Sequence, residues 1–218
     1  AMTDTSAPPS APAPAPPPGV DVDALRKRAA GGSFWAIGGY AVSNLVRLAG
    51  NIALARLLFP EAFGLMAIVH VFIQGLWLFT DIGVGPAIVQ SERGDDPKFL
   101  NTAWTIQVCR GLALCLVSFL LAWPVSQLYA GSDPLAAELL WYLPVTGITA
   151  AMDGAVSTRL YVYSRHLRLR PLMLLDCFLQ VVSLLAMLGL AWVYASVWAL
   201  VIGALLKSAL RLAISHLL

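Results

Sequence analysis

From Ser33 onward the chain alternates between long apolar runs and short polar interruptions. Six runs of about 20 residues or more, the length a ~30 Å hydrocarbon core demands of a helix, fall roughly at 33–58, 63–86, 102–128, 138–163, 172–194 and 196–217. Inside them the polar residues recur at helical spacing. Tyr40, Asn44, Arg47 and Asn51 stand four, three and four apart, which at about 100° per residue makes a stripe about 60° wide. The second run repeats the spacing with His70, Gln74, Trp77 and Asp81. The third carries Gln107, Arg110 and Ser118, and the fourth Thr146, Thr149, Asp153 and Ser157. The fifth has Asp176, Gln180 and Ser183, and the sixth Lys207, Arg211 and Ser215. The pattern predicts an all-α membrane protein, a six-transmembrane-helix bundle in which each helix has one polar face.

The connections orient that bundle. Arg26, Lys27 and Arg28 precede the first span, "SERGDDPKFLN" follows the second and "SRHLRLRP" follows the fourth; together they hold eight of the 14 basic residues. The loops between them, "FPEAF", "AGSDPLAAE" and "YAS", have no Lys or Arg. The positive-inside rule puts the N-terminus and the C-terminus in the cytoplasm. Six of the seven tryptophans lie near span ends, where an amphipathic ring favours the interface; Trp77 is the exception. Residues 1–20, rich in Pro and Ala, read as a disordered cytoplasmic tail. Residues 21–32, acids first and bases last, read as a short interfacial helix, and 33–218 as the transmembrane lobe.

Composition agrees with this class. Hydrophobic residues make up 59% of the chain and charged ones 12%, against about 25% in a soluble domain. A net charge of +2, with most basic residues flanking the membrane, gives no reason to expect a nucleic-acid partner. Cys109, Cys115 and Cys177 fall inside apolar runs without metal-ligand spacing, so they read as small apolar filler.

Charges inside the spans need a reason. Four cations (Arg47, Arg110, Lys207, Arg211) and three acids (Asp81, Asp153, Asp176) lie within or at the edge of the spans. Two arrangements compete: a dry bundle pinned by polar contacts between helices, and a hydrated cavity. Burying seven ions dry costs several kcal/mol each even when paired, and intramembrane charges normally face water or a transport path. The second arrangement is therefore expected, with Asn44, Asn51, Gln74, Gln107 and Gln180 as further polar lining. At 1.5 Å per residue, Arg47 and Lys207 come near the midplane, and Arg110, Arg211 and the three acids in the cytoplasmic half. Guanidinium groups suit a phosphate entering from that side. No metal set, nucleophile motif or Gly-rich phosphate loop is evident, so neither an enzyme nor a cofactor is expected. His70 and His216 read as hydrogen-bonded lining residues, His166 as part of a basic belt, and "GVGPA" after Asp81 as a helix break.

Three stretches, "NIALARLLFPEAFGLMAI", "FTDIGVGPAIVQ" and "TAWTIQVCRGLALCLVSFLLAWPVSQLY", carry a resemblance. The R-L-L-x-P-x-x-F-G-L turn and the D-x-G-x-x-x-A-x-x-Q segment together make the chain similar to the N-terminal region of the polysaccharide transporter family. These are the oligosaccharide flippases of the multidrug/oligosaccharidyl-lipid/polysaccharide exporter superfamily. The resemblance covers about 33–218 and implies one lobe of a V-shaped, two-lobe flippase in the cytoplasmic (inner) membrane. It implies a substrate too: an undecaprenyl-pyrophosphate-linked saccharide for exopolysaccharide or lipopolysaccharide biosynthesis. Arg47, Arg110, Lys207 and Arg211 become the substrate-binding cations. Six spans make one lobe only, so a second lobe, a homodimer mate or the polymerase and glycosyltransferase machinery are the expected partners, along with membrane lipid. A drug or cation exporter of the same superfamily and a non-transporting scaffold for polysaccharide assembly enzymes remain as alternatives.

Overall fold

The computed structural model describes residues 22–80, 83–129, 138–194 and 196–217, and among them there is no strand. Eight helices follow in order: α1 (Val22–Leu57), α2 (Pro60–Thr80), α3 (Val84–Gln90), α4 (Pro97–Tyr129), α5 (Leu139–Gly154), α6 (Arg159–Arg165), α7 (Leu169–Tyr194) and α8 (Trp198–Leu217). Four of them, α2, α4, α7 and α8, are long and apolar enough to cross a membrane, and α5 with α6 makes a fifth if the bent pair is one span. At 36 residues α1 is long enough, but Asn44, Arg47 and Asn51 dilute its apolar character.

Three boundaries depart from the sequence pattern. Residues 22–32 do not form a separate helix but run straight into α1: Gly31 and Gly32 weaken a helix by about 1 kcal/mol each without breaking it. The second run, expected to reach 86, stops as α2 at Thr80, and Gly83 takes a left-handed backbone with φ 67° before α3 starts, a conformation natural to glycine. The fourth run, expected as one helix over 138–163, breaks after Gly154 and resumes at Arg159 with a 60° bend. Ser157 and Thr158 there can bond the backbone locally, which weakens a helix. The tail 1–20, Asp81 and most of the 130–138 connection lie outside the described residues.

The break is held from two sides. Gln107 Nε2 of α4 donates to the carbonyls of Asp153 (3.2 Å) and Val156 (3.5 Å). Trp104 Nε1 of α4 and His216 Nε2 of α8 both donate to Ala155 O at 3.0 Å. The Ser157 N–H donates to Ser215 Oγ at 3.0 Å. Helix α4 can reach the break because it packs closely on α5 along small residues: a Cβ on Gly111 would lie 2.6 Å from Ala150 O and 2.9 Å from Gly154 Cα. Helix α1 packs on α7 instead, α7 and α5 on α8, and α3 on α6.

Apolar burial is uneven along the bundle. The main core joins the C-terminal end of α1 (Leu54) and the Leu58 that follows it to the start of α2 (Ala62, Leu65), the start of α5 (Leu139, Tyr142, Leu143) and the start of α8 (Leu200, Val201). A smaller cluster of Val156, Leu160, Leu175 and Leu179 serves the other end. There Arg165 ties α6 to the end of α3, donating to the carbonyls of Ile88 (3.2 Å), Val89 (3.1 Å) and Ser91. Asp95 pairs with Arg165 at 3.2 Å and with His166 at 3.0 Å. The two polar connections assigned to one side of the membrane therefore meet.

The α4–α5 seam gives a test. Gly111→Ala forces a methyl group against rigid backbone and should destabilise the fold by about 1–3 kcal/mol, measured as a lower unfolding midpoint in detergent. Gly64→Ala, with open space beside it, should leave the midpoint unchanged or raise it.

Candidate functional site

Consecutive helices α1 and α2 stay largely apart. Helices α1 and α2 are joined through Leu58 and Phe59, but α1 leans on α7. The space left between α1, α2, α7 and α8 is a cavity of about 460 Å³. Its polar lining is Arg47 and Asn51 from α1, His70 from α2, Gln180 and Ser183 from α7, and Lys207 from α8; Leu54, Met66, Leu184 and Met187 are among the apolar remainder. Arg47 is oriented by Asn44, whose Oδ1 accepts from the guanidinium at 2.9 Å. Lys207 Nζ donates to Gln180 Oε1 at 2.7 Å, and Asp176, Asp153, Arg211 and Arg47 all act electrostatically on it. His70 Nδ1 bonds the Met66 carbonyl at 2.9 Å.

A second cavity of about 270 Å³ sits against the helix break. It is lined by Gln107 and Arg110 from α4, Asp153 and Val156 from the break, Arg211 from α8, Trp77 from α2 and Tyr161 from α6, with Val84, Gly85 and Pro86. The Arg110 guanidinium lies 4.6 Å from the centre of the Trp77 ring, a cation–π contact; with α2 ending at Thr80, Trp77 lies near a helix end rather than in the middle of a span as the sequence pattern had it. Asp153 faces the Ser208 hydroxyl and the charges of Arg211 and Lys207.

The expected site residues therefore divide. Arg47, Asn51, Gln180 and Lys207 share the first cavity, and Gln107, Arg110, Asp153 and Arg211 the second. Asn44 supports Arg47 from behind, and half-buried Asp176 acts on Lys207. Gln74 is exposed and lines neither cavity, and Asp81 lies outside the described residues. Two residues escaped the sequence reading. Ser208 is buried and precedes Arg211 and Ser215 by three and seven, a spacing that could have found it. Tyr161 comes after the 60° bend, which destroys any periodic signal.

Apolar helices of membrane-crossing length around cavities that draw cations from separate helices define a multi-pass membrane protein. The chain belongs to the polysaccharide biosynthesis protein family, whose sequence pattern matches residues 53–218. Its role lies in polysaccharide synthesis or export. The match includes Lys207, Arg110 and Arg211 but starts after Arg47. No curated protein and no solved structure matches the chain.

Water access to the first cavity can be measured. With Cys109, Cys115 and Cys177 replaced by serine, Arg47→Cys should react with a water-soluble maleimide at least about tenfold faster than Val201→Cys, whose side chain is fully buried. Equal protection at both positions would mean a dry bundle.

Proposed function

We propose that the chain is the N-terminal lobe of a flippase that moves polyprenyl-diphosphate-linked saccharides across the cytoplasmic membrane for exopolysaccharide or lipopolysaccharide biosynthesis. It does so without covalent chemistry. The observation that carries this reading is the convergence of Arg47 and Lys207, from helices at opposite ends of the chain, on one 460 Å³ cavity. Two cations in a partly apolar cavity suit a diphosphate. Guanidinium and ammonium groups bind it by charge-assisted hydrogen bonds, while the polyprenyl tail stays in lipid.

In this reading α1 is the remaining span, since it carries the cationic stripe, and both termini are cytoplasmic. The contact of Asp95 with Arg165 and His166 supports a common side for the two basic connections. The main apolar core gathers at the end where the connections lack Lys and Arg. That packed end is then the outer one, and the polar end faces the cytoplasm. A second lobe, a second copy of the chain or another polypeptide completes the passage, and one lobe rocks against the other. A drug or cation exporter would need carboxylates lining the site, whereas the first cavity's lining among the described residues has none, and Asp176 and Asp153 act on Lys207 from outside that lining.

Arg47→Gln and Lys207→Gln should each weaken binding of a polyprenyl diphosphate by about 10- to 100-fold, the worth of a hydrogen bond to a charged group. Export should fall while membrane insertion stays normal. Undiminished export in both variants would remove this cavity from the mechanism.

A further inference from the structure

Gln107 has an unusual position. It is 7% exposed, and its amide nitrogen is committed to two carbonyls at the helix break, Asp153 O and Val156 O. That fixes the amide orientation, because the opposite one would set oxygen against oxygen. The amide oxygen, Oε1, then accepts no hydrogen bond among the described residues. A buried acceptor without a donor is destabilising by about 1–3 kcal/mol; Gln107 lines a cavity, and a donating ligand there would satisfy Oε1 once the side chain shifts to expose it.

The cavity it lines also holds the Asp153 carboxylate, the guanidinium groups of Arg110 and Arg211, and the Tyr161 hydroxyl. A phosphate only accepts, so it could serve the arginines but not Gln107 Oε1 or Asp153. A group rich in hydroxyls, which both donate and accept, serves all of them. At about 270 Å³ the space far exceeds the ~30 Å³ of one bridging water and comes close to the ~300 Å³ lower end of ligand pockets.

Both cavities draw on α8, through Lys207 and Arg211, one helical turn or about 6 Å apart. Asp153 acts on both of these cations. The geometry points to the second cavity as a glycosyl subsite, with Gln107 Oε1 and Asp153 accepting from sugar hydroxyls while Arg110 and Arg211 donate to the sugar's oxygens. This rests on the flippase reading, in which the diphosphate lies on Arg47 and Lys207, and adds to it a place where the saccharide is recognised.

The test compares binding of undecaprenyl diphosphate with that of the same lipid carrying one N-acetylhexosamine, by native mass spectrometry of the full chain. Wild type should prefer the sugar-bearing lipid. Gln107→Leu should lower its affinity for that lipid by about tenfold and leave the bare diphosphate lipid unaffected, whereas Arg47→Gln should weaken both. Arg211→Gln, on an exposed side chain, should reproduce the selective loss and decides the matter if Gln107→Leu does not fold. A wild type that binds both lipids equally, or variants that weaken both alike, would overturn the glycosyl subsite and leave the flippase reading standing. A wild type that binds neither lipid would overturn both.

Discussion

Where α5 stops being helical at Gly154, backbone carbonyls lose their regular helical partners inside an apolar bundle. In hydrocarbon an unsatisfied backbone group costs several kcal/mol, so an interrupted helix is possible only if side chains from neighbouring helices stand in. Gln107, Trp104 and His216 take that role, and Ser215 accepts from the N–H of Ser157. The demand reaches far along the chain. It fixes which face α4 turns to α5, and the approach of Gly111 to Gly154 lets Gln107 reach the Asp153 and Val156 carbonyls. It also draws the C-terminal end of α8 against the bend, so that Arg211 and Asp153 come to share a cavity.

Charge placement follows from the same scarcity of partners. Among the described residues, ionisable side chains inside the bundle have polar, charged or aromatic neighbours: Arg47 has Asn44, Lys207 has Gln180, Arg110 has the Trp77 ring and Asp153 has Ser208 with Arg211. Arg47 and Lys207 are held by neutral amides rather than by direct ion pairs, and this bears on function. An amide orients a cation without cancelling its charge, so the site keeps its attraction for an anion. A tightly paired carboxylate at the same place would have competed with the ligand.

The helical class was legible because polar residues repeat at threes and fours through otherwise apolar runs, and the stripes foretold much of the cavity lining. Arg47, Asn51, Gln180 and Lys207 line one cavity, whereas spacing alone could place each only on a stripe of its own helix. Division of the site into two cavities was not legible, because it depends on the 60° bend after Gly154. The residues at that bend, Ala155 to Thr158, contain neither proline nor glycine, the usual breakers. What sustains the break is distant: Gln107 is nearly fifty residues earlier and Ser215 nearly sixty later. Local sequence reports propensity, and here tertiary hydrogen bonds overrode it. Gln74 shows the reverse error. It fits the α2 stripe with His70 and Trp77, yet it is exposed and lines neither of the two cavities that those residues reach.

The two ends of the bundle are stabilised by different forces, and this limits how the lobe can move. At one end Leu54, Leu58, Leu139, Leu143 and Val201 are buried against one another; such contact is non-directional and grows with area, at roughly 25 cal/mol per Å². At the other end the Arg165 guanidinium caps the carbonyls at 88, 89 and 91. Its pairing with Asp95, whose side chain is 49% exposed, is of the kind that adds only about 0–1 kcal/mol. The carbonyl bonds, on the less exposed side, therefore matter more. They tie α3 to α6 by geometry rather than by bulk, so the short helices beside the second cavity move together. In the proposed flippase, an alternating-access motion would carry the α3–α6 pair and the helix break as one body. Arg211 and Lys207 on α8, tied to the break through Ser215 and His216, would keep their spacing in such a motion.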